Sequence, residues 1–578
     1  MSVASGPSSR GRWSILTGAG LLALLVPLHS QTSSALPKFR DIREAAKINF
    51  RHEGSPTSQK YLIETMGGGV GVADFDGDGL LDIFLVNSGR ITDPMEMPAN
   101  FDRHDPRYWS RLYLQNKDGS FTDVTERAGL ANAGDGNYGM GVAVGDYDND
   151  GFPDLYVTSY GKNVLYHNNH DGTFTDVTTR AGVAAGGWST SAGFFDYDND
   201  GYLDLFVTRY MEWSFDKNPF CGDPLSGFRG YCHPDKFPAT TSILFHNNKD
   251  GTFSDVSAAA GIAAFPGRGL GVAFNDYDGD GLADVFVAND SMEQFLLHND
   301  GHGKFSERAL SAGAAFNADG LPFAGMGVDF ADYDNDGRPD VAITDLSNER
   351  YALYRNEGGN SFNYATTQTG LGRITLYSSG WGVHFLDYDN DGRKDLLVAQ
   401  SHVMDNVQHL HPSIPYRMPL LLARNTTSGF VNVSAESGAP FLVPLAGRGA
   451  AFGDLDNDGN VDAVVAVLND VPVVLHNDGG SGNHWLSINT VGTRSNRDGL
   501  GARIKLVGES GLAQFGYVTT AGSYLSASDK RVHFGLGKDK TASLIEIIWP
   551  SGVVQRLTNV SANQAITVTE PTGTEGKP

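Results

Sequence analysis

Apolar residues in this chain come in short runs separated by acidic, Asn-rich and Gly-rich turns, and the flanks of those turns show no helical period. Pairs of such runs enclose one acidic segment, Asp-x-Asp-x-Asp-Gly-x-x-Asp, which occurs seven times. Its aspartates are Asp74, Asp76, Asp78 and Asp82; Asp146, Asp148, Asp150 and Asp154; Asp196, Asp198, Asp200 and Asp204; and Asp276, Asp278, Asp280 and Asp284. They continue as Asp332, Asp334, Asp336 and Asp340; Asp387, Asp389, Asp391 and Asp395; and Asp454, Asp456, Asp458 and Asp462. Successive segments start 50 to 80 residues apart. That spread suits a unit of about 50 residues carrying loop insertions, which is the size of a propeller blade.

A second motif lies between the acidic segments. It reads Leu112-Tyr-Leu-Gln-Asn116 with Gly119 and Phe121-Thr-Asp123 in the first unit, then Leu165-Tyr-His-Asn168 with Asp171-Gly172 and Phe174-Thr-Asp176. It returns as Leu244-Phe-His-Asn247 with Asp250-Gly251 and Phe253-Ser-Asp255, and weaker copies start at Leu296, Leu353 and Leu421. Asp-Gly between alternating apolar runs signals a hairpin. In the second unit the strands are then Gly141 to Val144, Leu155 to Thr158, Val164 to His167 and Phe174 to Val177. Four antiparallel strands repeated seven times predict an all-β fold, a seven-bladed β-propeller; the repeats of a β-solenoid are much shorter. The last unit has Val473-Val474-Leu475-His476-Asn477 but lacks its fourth strand, and Phe39-Arg40-Asp41-Ile42 supplies the missing pattern near the N-terminus. Such a split unit predicts ring closure, which hides open sheet edges.

Residues 483–570 read as a second, small β-domain, with strand-like runs at Ile504 to Val507, Phe515 to Thr519, Leu544 to Trp549 and Ala565 to Val568. Trp485 and Trp549 are expected in a core or an interface, and Arg497 and Asp498 in a turn or a structural ion pair. The propeller occupies 36–482, and the polar tail 571–578 is expected to be disordered. Residues 1–35 have the plan of an export signal: Arg10 and Arg12, an apolar run from Trp13 to Leu28, and small residues at Ser33-Ser34-Ala35. No other segment is long and apolar enough to span a bilayer, so the mature chain is expected to be secreted, periplasmic or at the cell surface. In that setting Cys221 and Cys232, the only cysteines, are expected to form a local disulfide.

The chain of 578 residues holds 72 glycines and carries a net charge of -25, which excludes a nucleic-acid partner because phosphate binding requires clustered Lys and Arg. The acids are concentrated in the seven segments. Carboxylates at positions 1, 3, 5 and 9 with Gly at position 6 reproduce the first part of an EF-hand loop, and hard oxygen donors in that number favour Ca²⁺ over Mg²⁺. Position 12, where an EF-hand has its bidentate Glu, is instead Leu85, Val157, Val207, Val287, Ile343, Val398 and Val465. The loop is therefore a strand–calcium–strand corner, and about seven Ca²⁺ ions are expected per chain. Asp is also a common turn former, but seven loops with all four aspartates and the Gly intact exceed what turn preference explains.

These units, with their Gly-x-Gly-Val-Ala-type lead-in strands, resemble FG-GAP/VCBS repeats of the kind found in integrin α-chain propellers. The stretches Asn483-His484-Trp485-Leu486, Ser495-Asn496-Arg497-Asp498-Gly499-Leu500-Gly501-Ala502, Val532-His533-Phe534-Gly535-Leu536-Gly537 and Trp549-Pro550-Ser551-Gly552 resemble the ASPIC/UnbV domain that follows such repeats in the cartilage acidic protein family. No Gly-x-Ser-x-Gly, phosphate loop, His-Glu-x-x-His or Arg-Gly-Asp occurs. The expected function is an extracellular binding or adhesion module for protein or glycan, with the insertions 88–111 and 209–242 and their aromatics Tyr108, Trp109, Trp213, Phe220 and Tyr231 shaping a surface. The alternative is a calcium-dependent secreted enzyme acting on polysaccharide or a secondary metabolite. Ser401-His402-Val403-Met404-Asp405 with His409 and His411 is a second metal site, a catalytic patch or, as expected here, a hydrogen-bonded loop.

Overall fold

The computed structural model describes residues 36–132, 134 and 136–573; the expected export signal, residues 1–35, and residues 574–578 lie outside the described residues. Each repeat forms an antiparallel sheet of four strands in chain order, with the acidic loop between the first and second, and in the fourth repeat Phe323–Ala324 adds a short fifth strand beside the second. In repeat two these are Tyr138–Gly145, Asp154–Tyr160, Val164–Asn168 and Phe174–Asp176. The seventh sheet takes Phe39–Asp41 as its fourth strand, paired antiparallel with Val473–Asn477 so that Phe39 faces Asn477. The first strand of each sheet packs on the first strand of the next, and Gly447–Gly453 of the seventh packs on Val70–Ala73 of the first. The sheets thus follow one another in a closed cycle, a β-propeller. Phe39 is buried against Tyr388 and Phe441. Phe39→Ala should therefore cost about 3–5 kcal/mol, the usual range for such a core truncation; denaturant melts measure this, and an unchanged midpoint would count against the closing strand.

Two sets of asparagines link neighbouring blades. The Asn ending the third strand donates its side-chain amide to the position-2 carbonyl of the preceding blade's acidic loop: Asn168 to Phe75 (2.9 Å), Asn247 to Tyr147 (2.8 Å), and likewise around to Asn477 and Tyr388 (2.9 Å). Blade one has Gln115 at this place, and its Oε1 is buried without a partner. Position 4 of five loops is an Asn with positive φ, a conformation Asn accepts better than most residues. Its amide donates to the position-6 glycine carbonyl of the following blade. The fifth of these bonds, Asn457 to Gly79 at 3.1 Å, joins blade seven to blade one.

The C-terminal residues form two further sheets. One pairs His484–Val491 with Val532–Gly537 and Gln564–Thr569; the other runs Ala513–Tyr517, Arg503–Gly508, Thr541–Ile548, Val554–Ser561. Trp549 is buried in their shared core, while Trp485 lies against Gly459 of acidic loop seven, where a Cβ would clash with the indole. The strand from Ala513 ends at Tyr517, short of the expected Thr519, because the chain there turns into the axis of the propeller. Leu525 O accepts from Val142 N (3.0 Å), Ala527 pairs with Val70 and Val72, and Ser523 O accepts from Val328 N (3.0 Å). The Tyr524 ring packs on Trp381 and its hydroxyl donates to Met66 O (2.8 Å). Tyr524 and Leu525 are fully buried. The lead-in glycines Gly69 and Gly141 make room for this segment: a Cβ on either would lie 2.4 or 2.8 Å from Leu525 O. Propeller and C-terminal sheets consequently form one compact unit.

Candidate metal centres

Backbone bonds shape the acidic loops. In loop two, Asp146 Oδ1 accepts from Asp150 N (2.9 Å) and Oδ2 from Gly151 N (2.8 Å), while Asp150 Oδ1 accepts from Phe152 N (2.9 Å). The glycine at position 6 has φ between 87° and 98° in all seven loops, the left-handed region that glycine tolerates. Position 9 ties each loop to its own sheet. Asp204 Oδ2 accepts from Tyr197 N (3.2 Å) and Oδ1 from Asn247 N (2.8 Å). Asp82, Asp154, Asp284, Asp340, Asp395 and Asp462 repeat the pattern. The position-12 residues, Leu85 through Val465, are buried in the outgoing strands, as their apolar character required.

All four predicted aspartates of a loop therefore gather around one turn. Position 3 is the least occupied: Asp148 Oδ1 and Asp389 Oδ1 are buried without a hydrogen-bond partner, although Asp389 Oδ2 is taken by Arg424. Ligand atoms of Asp74, Asp76 and Asp82 lie within 4.8 Å of one another, as do those of Asp148, Asp150 and His167, with matching trios in loops three, four and seven. An orphaned buried carboxylate oxygen amid a set rich in hard carboxylate donors fits a divalent cation.

Crowding these carboxylates is costly. Burial first, and then neighbouring carboxylates, push Asp82 and Asp196 up to about 8. Burial also raises Asp154, Asp204 and Asp284 to about 7 and Asp462 to about 6, against the pull of backbone and His hydrogen bonds. Imidazoles answer from the third strand: Nδ1 of His246 and of His298 lies 3.1 Å from Oδ1 of Asp204 and of Asp284, and Nδ1 of His167 and of His476 lies 3.4 Å from Asp154 and Asp462. The position-9 carboxylate raises each of the four histidines. These histidines were missed in the sequence, although the repeated His-Asn of the second motif marks them.

The C-terminal sheets sit on the acidic loops. Asp498 accepts from Asp146 N (2.9 Å) and pairs with Lys530 (2.6 Å), Arg497 N donates to Asn149 Oδ1 (2.6 Å), and Arg503 reaches Asp276 (2.7 Å). Arg497 and Asp498 are thus docking residues. A cavity of about 420 Å³ with charged walls, including Asp329, Lys394, Arg503 and Arg531, remains between the two parts.

The long insertions join second to third strands and so lie at the opposite end of the propeller. Of the five aromatics named above, Tyr108, Trp109, Trp213 and Tyr231 are buried and Phe220 is exposed. They form a cap whose hydrophobic cluster runs on to the axial residues Trp381, Tyr524 and Leu525, and the Cys221–Cys232 disulfide pins its second insertion. The 401–405 stretch is a hydrogen-bonded loop of this cap: His402 Nδ1 accepts from Met404 N (3.0 Å), burial lowers His402 to about 4, and Asp405 pairs with Lys60 (2.8 Å). Among the described residues no helix is long and apolar enough to cross a membrane.

The sequence model described as FG-GAP-like repeat matches in overlapping segments spanning residues 74–207 and 238–398, about half of the chain. The chain belongs to the FG-GAP repeat family. The ASPIC and UnbV model matches residues 492–575, so the FG-GAP propeller carries the C-terminal domain its motifs suggested. Cartilage acidic protein 1 of Mus musculus is 24% identical over 555 residues, covering 91% of this chain and 76% of that protein. The Homo sapiens protein is 27% identical over 332 residues, covering 55% of this chain and 46% of that protein. The chain thus spans about half the length of the human relative in that match. Solved structures with partial overlap include a lectin from Agrocybe aegerita that recognises non-reducing terminal N-acetylglucosamine, at 14% identity and TM-score 0.37, covering 64% of this chain and 79% of the lectin. Another is a Bacillus licheniformis rhamnogalacturonan lyase, at 13% identity and TM-score 0.32, covering 89% and 87%. At those scores the overlap bears on neither ligand nor activity.

Proposed function

We propose that this protein is an extracellular, calcium-stabilised propeller that binds protein or glycan through its capped face. The supporting observation is where apolar side chains meet solvent. Nine of the eleven exposed large hydrophobics among the described residues lie in the connections at the cap end: Met97, Phe220, Leu225, Leu310, Leu321, Tyr377, Leu410, Leu442 and Val443. Apolar groups exposed at one end of a molecule suit an interaction surface there. The other face is already covered by the C-terminal sheets. The disulfide and the relation to cartilage acidic protein support an extracellular setting. Calcium in the acidic loops holds the frame from which the cap is displayed.

The test pairs a glycan array and an extracellular-protein display with hydrolase and lyase assays on the same panel. Stable binding that falls at least tenfold in a Phe220→Ser, Leu225→Ser variant with unchanged melting supports the reading. Turnover without stable binding would replace it with the enzymatic alternative.

A further inference from the structure

The third-strand residue just before the blade-linking Asn or Gln differs between blades in charge. It is Leu114 in blade one, His in blades two, three, four and seven, and Arg in blades five and six. Arg355 Nε lies 2.6 Å from Asp334 Oδ2, and its Nη2 lies 2.7 Å from Asp336 Oδ2. Arg424 repeats the arrangement, with Nε 2.8 Å from Asp389 Oδ2 and Nη2 3.1 Å from Asp391 Oδ2. One guanidinium thus bridges positions 3 and 5, the carboxylates an incoming ion needs most. Arg338 adds a second guanidinium to Asp336. Lys394, fixed by bonds to Asp332 O (3.0 Å) and Phe515 O (2.9 Å), adds positive charge beside the first aspartates of both loops.

We infer that loops five and six are closed to calcium, with Arg355 and Arg424 as resident cations, so that the chain takes five ions instead of about seven. The inference rests on the calcium reading above and refines it. A Ca²⁺ ion at about 2.3–2.6 Å from the same oxygens would be pressed against a like charge. The guanidinium cannot withdraw by losing a proton, and its planar fork matches two carboxylates at once. Three other cations near loops do not have this reach: Arg531 meets loop seven only at Asp454 O and Asn457 Oδ1, not at its carboxylates. Lys249 meets Asp200 alone, from a side chain 44% exposed. Arg503 meets only Asp276 Oδ2, leaving positions 3 and 5 of loop four beside His298.

The experiment is calcium content by inductively coupled plasma mass spectrometry on the full chain after equilibration with excess calcium and gel filtration. Five ions per chain are expected. Arg355→Leu and Arg424→Leu, which copy blade one, should each raise the count to six, and Arg355→His serves as a milder substitute should the leucine variant fold poorly. The reverse change, His246→Arg, should lower it to four. Seven ions in the unaltered protein would overturn the inference and leave the calcium reading standing, whereas no bound calcium would remove both.

Discussion

In chelator, the protein will melt far lower at pH 8 than at pH 5.5, and calcium will restore the pH 8 value. The carboxylates of Asp82 and Asp196 are held at about 8, and those of Asp154, Asp204, Asp284 and Asp462 at about 6 to 7, chiefly by burial. Their ordinary value is 3.8, so between roughly pH 4 and 8 the folded protein binds more protons than the unfolded one. Stability then falls as pH rises through the folded values. The four loop histidines act in the same direction, because their raised values stabilise the folded state at low pH and lose that effect as pH rises. Each pKa unit corresponds to about 1.4 kcal/mol. Calcium pairs with the ionised form and removes the cost, contributing about 4 kcal/mol per site at a thousand times its Kd. Differential scanning calorimetry at both pH values, with and without calcium, measures the effect. A melting temperature indifferent to chelator at pH 8 would contradict it.

The second large effect concerns the axis. A chain ending before His484 will not accumulate as a soluble, cooperatively melting propeller. Without residues 518–531 the inner strands lose their partners: Val72, Val142 and Val328 each donate a backbone N–H to that segment, and Trp381 loses the Tyr524 ring. Unpaired main-chain donors lining an opened channel are costly. Within the full chain, Tyr524→Ala should lower stability by about 3–5 kcal/mol, as for other buried aromatics. Expression of the truncated chain followed by thermal melting decides the matter. A monomeric fragment melting within a few degrees of the full protein would show that the propeller stands alone.

The repeat carried most of the fold in plain view. Acidic loops and His-Asn or Arg-Asn hairpins recur at spacings that only blades satisfy, and Phe39 announces the split last sheet because an unpaired strand pattern has to go somewhere. What stayed hidden was every contact between distant parts. Nothing in Ser523-Tyr524-Leu525 distinguishes a channel-filling segment from a surface turn, since its partners, from Met66 to Ala450, lie 73 or more residues away. The insertion aromatics misled for a related reason. Loops of such length can fold back on the propeller, and Trp213, Tyr231 and Phe101 are buried in one cluster with blade residues such as Tyr138 and Trp188. At the metal centres the carboxylates were legible by spacing alone, whereas the charge of the residue facing them across the sheet, His246 or Arg355, acquires meaning only once strand three is placed beside the loop.

The most direct measurement is an anomalous difference map at a long X-ray wavelength from a crystal grown in calcium. Peaks are predicted about 2.3–2.6 Å from the carboxylates of loops one, two, three, four and seven, the distance range of calcium–oxygen bonds. A map without peaks in those loops, from a crystal soaked in millimolar calcium, would contradict the role assigned to them.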